Sequence, residues 1–280
     1  MKLKKFILVI FIIANQILIS QVKVVLDSVY SPSLNSFKHF HIVLPENYFK
    51  TEERFIAIYL LHGYGGSHQD WVNKTSLVKY LKDYNFIIIT PEADNGWYTN
   101  SPTLKNKNYE DYIIKDLIPY VEKKYRVIST RHGRIIAGLS MGGYGAIKFA
   151  LKYPNMFLLA GSFSGAFNWE QILERGQGQI IQSLKDAFGE AKTQHWHKNN
   201  VFSLVDSVAI GNLPYLYISV GKDDNIIGLL EANRNLVEKL QKKNINYEYH
   251  ELPGSHTWSF WDMEIKNFLR RVSEINSLTW

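Results

Sequence analysis

The chain has 280 residues, of which 46% are hydrophobic and 21% charged, and its formal net charge is +6. That composition suits a globular protein with a large core and excludes a disordered one. It contains no cysteine, which excludes disulfides, thiolate zinc sites and a cysteine nucleophile. No G-x-x-x-x-G-K-[ST] run and no H-E-x-x-H occurs, which argues against P-loop nucleotidase and zincin chemistry.

At the start of the chain Lys2, Lys4 and Lys5 precede the apolar run Phe6 to Ile13, which continues as Ile17-Leu18-Ile19 and gives way to Ser20-Gln21. A basic segment, an apolar segment and then small polar residues form the pattern of a secretory signal peptide. Residues 1–20 are therefore expected to be removed near Ser20. Residues 21–280 would then form a single domain in a secreted or periplasmic protein. The competing reading is an uncleaved anchor. Asn15 and Gln16 interrupt the run, and the whole is short for a membrane span, so no stable span is expected after processing. Losing the three lysines lowers the net charge from +6 to +3. Nucleic acid as a partner then has little electrostatic support.

Further along, Lys23 to Tyr30 and Lys38 to Leu44 alternate apolar and polar residues about the turn signal Ser31-Pro32-Ser33. They read as an antiparallel, half-exposed pair at a sheet edge. Phe55 to Leu61 and Phe86 to Thr90 are continuous apolar runs, suited to strands buried on both faces. Ile135 to Leu139, Leu158 to Phe163, Tyr215 to Val220 and Asn246 to Leu252 bring the set to about eight. Helical spacing predicts helices over Trp71 to Leu81, Tyr109 to Tyr125, Gly143 to Tyr153, Ile226 to Leu240 and Trp258 to Val272. Strands alternating with helices imply an α/β fold with a mostly parallel sheet covered on both faces. Residues 166–211 break this rhythm and read as a variable, helical insertion over the sheet edge.

Gly138-Leu139-Ser140-Met141-Gly142 follows an apolar strand and opens a helix. Strand, sharp turn and helix are the context of a nucleophile elbow, in which a Cβ at 138 or 142 would clash. The alternative for Ser140 is a simple helix N-cap. A serine hydroxyl needs a base. In elbow folds the acid and then the histidine follow the serine. His256 sits just after the last strand, where an open α/β sheet places its site. His250 lies within that strand, and His195 and His197 lie in the insertion. The acid should follow the strand ending at Val220, and Asp223 and Asp224 both qualify. A helix starting at about Asn225 or Ile226 would put Asp224 at its N-cap, where backbone N–H groups keep a carboxylate ionised. The strand ending at Leu61 runs into His62-Gly63-Tyr64-Gly65-Gly66. That loop can turn backbone N–H groups inward, with the amides of Tyr64 and Met141 as the natural oxyanion pair. His62 reads as a structural support for it. Trp97, Tyr98, Trp169 and Trp258 fall after strand ends. They are expected either to shape a shallow apolar pocket with Gly63 or to pack in the core.

Taken together these motifs resemble the α/β-hydrolase superfamily. More narrowly they resemble the esterase family that includes esterase D (S-formylglutathione hydrolase), feruloyl and tributyrin esterases and the mycolyltransferases. The similarity runs over about residues 24–272, through Val43-Leu44-Pro45, Leu60 to Gly66 with Trp71, Ala137 to Ala146 and Gly254-Ser255-His256 with Trp258. Pro91 to Pro102, with Asn95, Trp97 and Tyr98, is most similar to the tributyrin-esterase branch. The resemblance implies a serine carboxylesterase with no metal or organic cofactor. Its substrate would be a small-molecule or polysaccharide-linked acyl ester of short-chain, acetyl or feruloyl type. Related feruloyl esterases carry Gly-x-x-Asp after the strand, which falls here on Gly221 and Asp224. An acyltransferase to a sugar or lipid hydroxyl, and a non-catalytic binding module, are the competing functions.

Overall fold

A computed structural model describes residues 21–190 and 193–278. The segment 1–20, read above as a signal peptide, lies outside the described residues. The first two strands, β1 (Lys23–Ser31) and β2 (Ser36–Leu44), form an antiparallel hairpin. Then follow β3 (Ile56–Leu61), the short helices α1 (Asp70–Lys74) and α2 (Leu77–Tyr80), and β4 (Phe86–Pro91). A helical stretch comes next. It opens as α3 (Tyr109–Asp111), widens into a π-helix over Tyr112–Leu117 and closes as α4 (Ile118–Lys124). The chain continues through β5 (Arg134–Leu139), α5 (Met141–Lys152) and β6 (Leu159–Phe163). Four helices separate β6 from β7 (Tyr215–Gly221): α6 (Trp169–Arg175), α7 (Gln179–Phe188), α8 (Gln194–Asn199) and α9 (Val201–Ser207). The last elements are α10 (Leu229–Lys242), β8 (Tyr247–Leu252) and α11 (Trp258–Leu278).

All eight strands join one sheet in the order β1-β2-β4-β3-β5-β6-β7-β8. The pairs β1–β2 and β2–β4 are antiparallel and the rest parallel. This is the α/β-hydrolase arrangement. Because side chains alternate along a strand, each central strand feeds two cores. Ala57, Tyr59 and Leu61 of β3 face one core with α4, α5 and α10, while Ile56, Ile58 and Leu60 face the other with α2 and α11. The edge strand β8 is half-buried along its whole length.

Two helix readings are corrected, and a third helix forms over the expected span with an irregular middle. The helix expected over Trp71 to Leu81 is broken after Lys74, where Thr75 is extended (φ −133°, ψ 171°). The Thr75 hydroxyl donates to the Trp71 carbonyl and accepts from the Leu77 N–H, and the Asp262 carboxylate takes the Ser76 N–H. Such side-chain bonds compete with the helical ladder. The Tyr109 helix contains a π turn because Pro119 lacks an N–H and crowds the preceding carbonyls. The helix after β7 starts at Leu229, three residues late, behind Gly228 in a left-handed conformation (φ 72°). The insertion helices pack not over a sheet edge but on α5. The Tyr144 hydroxyl donates to the Asn199 carbonyl (2.7 Å), and its ring meets Phe188 edge-on.

Candidate active site

Ser140 lies at the junction of β5 and α5 with φ 51° and ψ −115°. A non-glycine residue there stores about 1–3 kcal/mol, so its surroundings must hold it. They do: its N–H donates to the Phe163 carbonyl, and its own carbonyl accepts from Tyr144 and Ala166. A Cβ on Gly138 would come within 2.6 Å of the Gly142 backbone, and one on Gly142 within 2.6 Å of the Leu61 carbonyl oxygen. Only glycine lets the helix start drop this close to the end of β3. The result is a half-buried serine raised above the sheet at a helix N-terminus.

His256 Nε2 is 3.0 Å from Ser140 Oγ, and His256 Nδ1 is 2.8 Å from Asp224 Oδ2. The carboxylate fixes the proton on Nδ1, leaving Nε2 to accept from the serine hydroxyl. The imidazole side chain is 16% exposed and the Asp224 side chain fully buried. Backbone bonds between the two loops, Lys222 N–H to the Leu252 carbonyl and Asp223 N–H to the Gly254 carbonyl, bring together groups 32 residues apart. Asp224 does not cap α10, which begins too late. Its Oδ1 accepts instead from the Ile226 N–H (3.1 Å) in the intervening turn. Asp223 is exposed.

The loop after β3 is closed by Gly66 N–H on the Gly63 carbonyl (3.0 Å) and tied down by Asn95, whose Oδ1 accepts from Gly65 N–H (2.7 Å). Buried His62 supports it from below: Nδ1–H donates to the Gly63 carbonyl and Nε2 accepts from the Ala93 N–H. Tyr64 borders the same cavity as Ser140. Met141 is the first residue of α5, so its N–H has no partner within the helix and lies at the positive end of the helix dipole.

A cavity of about 260 Å³ opens beside Ser140, lined by Gly63, Tyr64, Gly65, Gly66, Asp70, Lys74, Leu139, His256, Trp258 and Trp261. Of the aromatic and glycine residues singled out in the sequence as possible pocket residues, Gly63 and Trp258 line this cavity. Trp97, Tyr98 and Trp169 do not border this cavity; they are 1%, 0% and 0% exposed. The insertion gives them packing partners: Trp169 stacks on Phe188 at 3.8 Å, and Trp97 Nε1–H donates to Ser183 Oγ. The Tyr98 hydroxyl donates to the His62 carbonyl, below the glycine loop.

Several residues at the site escaped the sequence reading. Trp261 meets the His256 ring edge-on at 4.9 Å; it lies three residues past Trp258 on the same helix, a spacing that could have revealed it. Asp70 and Lys74 flank Trp71 at helical spacing. Away from the cavity, Lys148, fully buried on α5, donates to the Tyr98 carbonyl (2.5 Å), Thr99 Oγ1 and Glu110 Oε2 (both 2.9 Å). Burial pulls this ammonium down to about 8, and the Glu110 carboxylate offsets only part of that effect. Burial pushes Glu110 up, but Lys148 and Lys152 outweigh it and hold the carboxyl at about 2. Among the described residues no cluster of His, Asp or Glu could hold a metal ion. Among them, too, no helix is long and apolar enough to cross a membrane.

The chain belongs to the family described as "Putative esterase", whose model matches residues 31–272. It is 27% identical over 231 residues to an acetyl esterase of Caldicellulosiruptor saccharolyticus, covering 80% of this chain and 85% of that protein. It is similar to the substrate-bound structure of fluorophosphonate-binding serine hydrolase F from Staphylococcus aureus: TM-score 0.81, 25% identity, with 90% of this chain and 98% of that one covered. A ferulic acid esterase structure matches with TM-score 0.77 and 25% identity over 91% of this chain and 99% of that one. The protein is a carboxylic ester hydrolase of the serine hydrolase type.

Proposed function

We propose that this esterase cleaves short-chain acyl esters through an acyl-enzyme formed on Ser140. His256 Nε2 takes the hydroxyl proton as Oγ attacks the ester carbonyl, then gives it to the leaving alcohol. Asp224 holds the imidazole in the Nδ1–H tautomer and stabilises the imidazolium that forms. The amides of Tyr64 and Met141 receive the negative charge that develops on the carbonyl oxygen. Water then attacks the acyl-enzyme with His256 again as base. The observation that carries this reading is the continuous contact Ser140 Oγ–His256 Nε2–Asp224 Oδ2 at 3.0 and 2.8 Å.

The small cavity beside Ser140, about 260 Å³, supports acetyl to butyryl groups over long chains, since pockets for larger ligands start at about 300 Å³. The likeness to an acetyl esterase supports the same size class. We also propose export to the periplasm or medium, on the strength of the basic and apolar pattern over residues 1–20. The test is a panel of p-nitrophenyl acyl esters, methyl ferulate and acetylated xylan. Turnover of the acetyl and butyryl esters supports the proposal; a protein inert toward every ester in the panel contradicts it.

A further inference from the structure

The Ser140 cavity is not lined by apolar groups alone. Asp70 and Lys74 stand one helical turn apart on α1, with Lys74 Nζ 3.1 Å from Asp70 Oδ1. The pair is asymmetric: the Asp70 side chain is 10% exposed and that of Lys74 47%. Both residues line the cavity, and of the two Lys74 is the more accessible. Lys74 Nζ also lies 5.0 Å from the centroid of the Trp258 ring. That ring is itself fixed, edge-on to Trp71 at 5.6 Å and to Trp261 at 5.2 Å. Trp261 in turn braces His256. The cation thus contacts one anion and one aromatic face at the rim of the cavity that His256 also lines.

An ammonium carries three donors and no acceptor. Asp70 engages one direction and the Trp258 face another, so donor capacity remains toward the cavity. The other groups around the cavity are the glycine loop with the Tyr64 side chain, Leu139, the Ser140 hydroxyl, and the imidazole and indole rings; Asp70 is the one carboxylate among the lining residues, and it is already paired with Lys74. An ordinary exposed i,i+4 pair would sit on open solvent and be worth little. Here both partners face the space beside the nucleophile.

We infer that this wall is a subsite for a carboxylate carried by the ester, with Lys74 as the specificity-determining residue. The inference rests on Ser140 being the nucleophile, and its test is built to fail separately from that reading. A carboxylate in the cavity would accept a charge-assisted hydrogen bond from Lys74, replacing the water that the half-exposed ammonium otherwise holds. Specificity is then read as the change, from wild type to variant, in the rate of a charged ester relative to a neutral one.

The experiment compares three substrates: neutral p-nitrophenyl acetate, 3-acetoxybenzoate with its carboxylate on the leaving group, and mono-p-nitrophenyl glutarate with its carboxylate on the acyl group. For each charged ester the quantity read is its kcat/KM divided by that for p-nitrophenyl acetate on the same preparation, so any unfolded fraction cancels. Lys74→Met keeps the stem and removes the charge. It should lower this ratio about tenfold for at least one charged ester, and which one falls tells whether the subsite receives the acyl or the alcohol portion. Lys74→Arg should keep the ratio within about threefold of wild type. If Lys74→Met moves neither ratio by more than twofold, the wall is only apolar packing by the lysine stem and Trp258, and the inference is wrong. If the wild type fails to cleave p-nitrophenyl acetate at all, the proposed function fails first.

Discussion

His256 Nδ1 and Asp224 Oδ2 lie 2.8 Å apart, while the neighbouring Asp223 is exposed and its carboxylate reaches only the Gly254 N–H at 3.4 Å. Two adjacent aspartates thus have different expected consequences. Asp224→Asn should lower kcat roughly 10⁴-fold, because the imidazole loses its tautomer control and the partner for its charge. Asp223→Asn should change kcat by less than about threefold, as for an exposed polar group. Steady-state kinetics of the two variants side by side decides; a larger loss at Asp223 would mean the acid is misassigned.

The elbow makes a stability prediction. Gly142→Ala places a methyl 2.6 Å from the Leu61 carbonyl oxygen and 2.7 Å from that of His62. Neither can retreat, since both belong to the backbone under α5. The variant should lose about 3 kcal/mol of stability, read as a lower denaturant midpoint with an unchanged slope. A midpoint equal to wild type would show that the strand end gives way more easily than the geometry allows.

Glu110 and Lys148 link α3 to α5, the helix that follows Ser140. The folded carboxyl sits at about 2, below its ordinary 4.5, so the ionised form is the one the fold favours. The stabilisation is complete above about 4.5 and is lost as pH falls from there through about 2. Glu110→Gln leaves the Lys148 ammonium buried without its counter-charge and should cost about 3–5 kcal/mol near neutral pH. The gap between variant and wild type should narrow as the pH falls toward 2–3. Urea melts across that range test this, and a gap independent of pH would contradict it.

Much of the fold was legible because its signals are local. Continuous apolar runs marked the central strands, and Gly138-x-Ser140-x-Gly142 marked the elbow, since no other residues tolerate that approach of backbone to backbone. What was not legible depends on partners distant in sequence. Trp97 and Trp169 look alike as aromatics after a strand, and only the insertion helix bearing Ser183 and Phe188 decides that they are buried. The break at Thr75 needs the Asp262 carboxylate, and the late start of α10 depends on Gly228 adopting a positive φ. Lys148 reads as an ordinary helix-surface lysine until Glu110 and the Tyr98 carbonyl are seen around it.

Residues 1–20 carry a separate expectation. If the basic and apolar pattern directs export, the protein isolated from its host should begin near Gln21 and be found outside the cytosol. Amino-terminal sequencing reads this directly, and an intact Met1 in the cytosolic fraction would refute it.

The cavity beside Ser140 sets an acyl-length preference. Butyryl esters should be turned over faster than palmitoyl esters of the same phenol, by at least tenfold in kcat/KM, because a cavity of about 260 Å³ is too small to enclose a palmitoyl chain. Faster palmitoyl turnover would show that the cavity opens in solution.

The most direct measurement is the hydrolysis of p-nitrophenyl acetate by Ser140→Ala, with circular dichroism and a denaturant melt to verify that the variant is folded. The nucleophile assignment requires kcat to fall by roughly 10⁴-fold or more, leaving only the residual owed to binding and the oxyanion donors. A folded Ser140→Ala protein that hydrolyses the ester at a rate near wild type would contradict it.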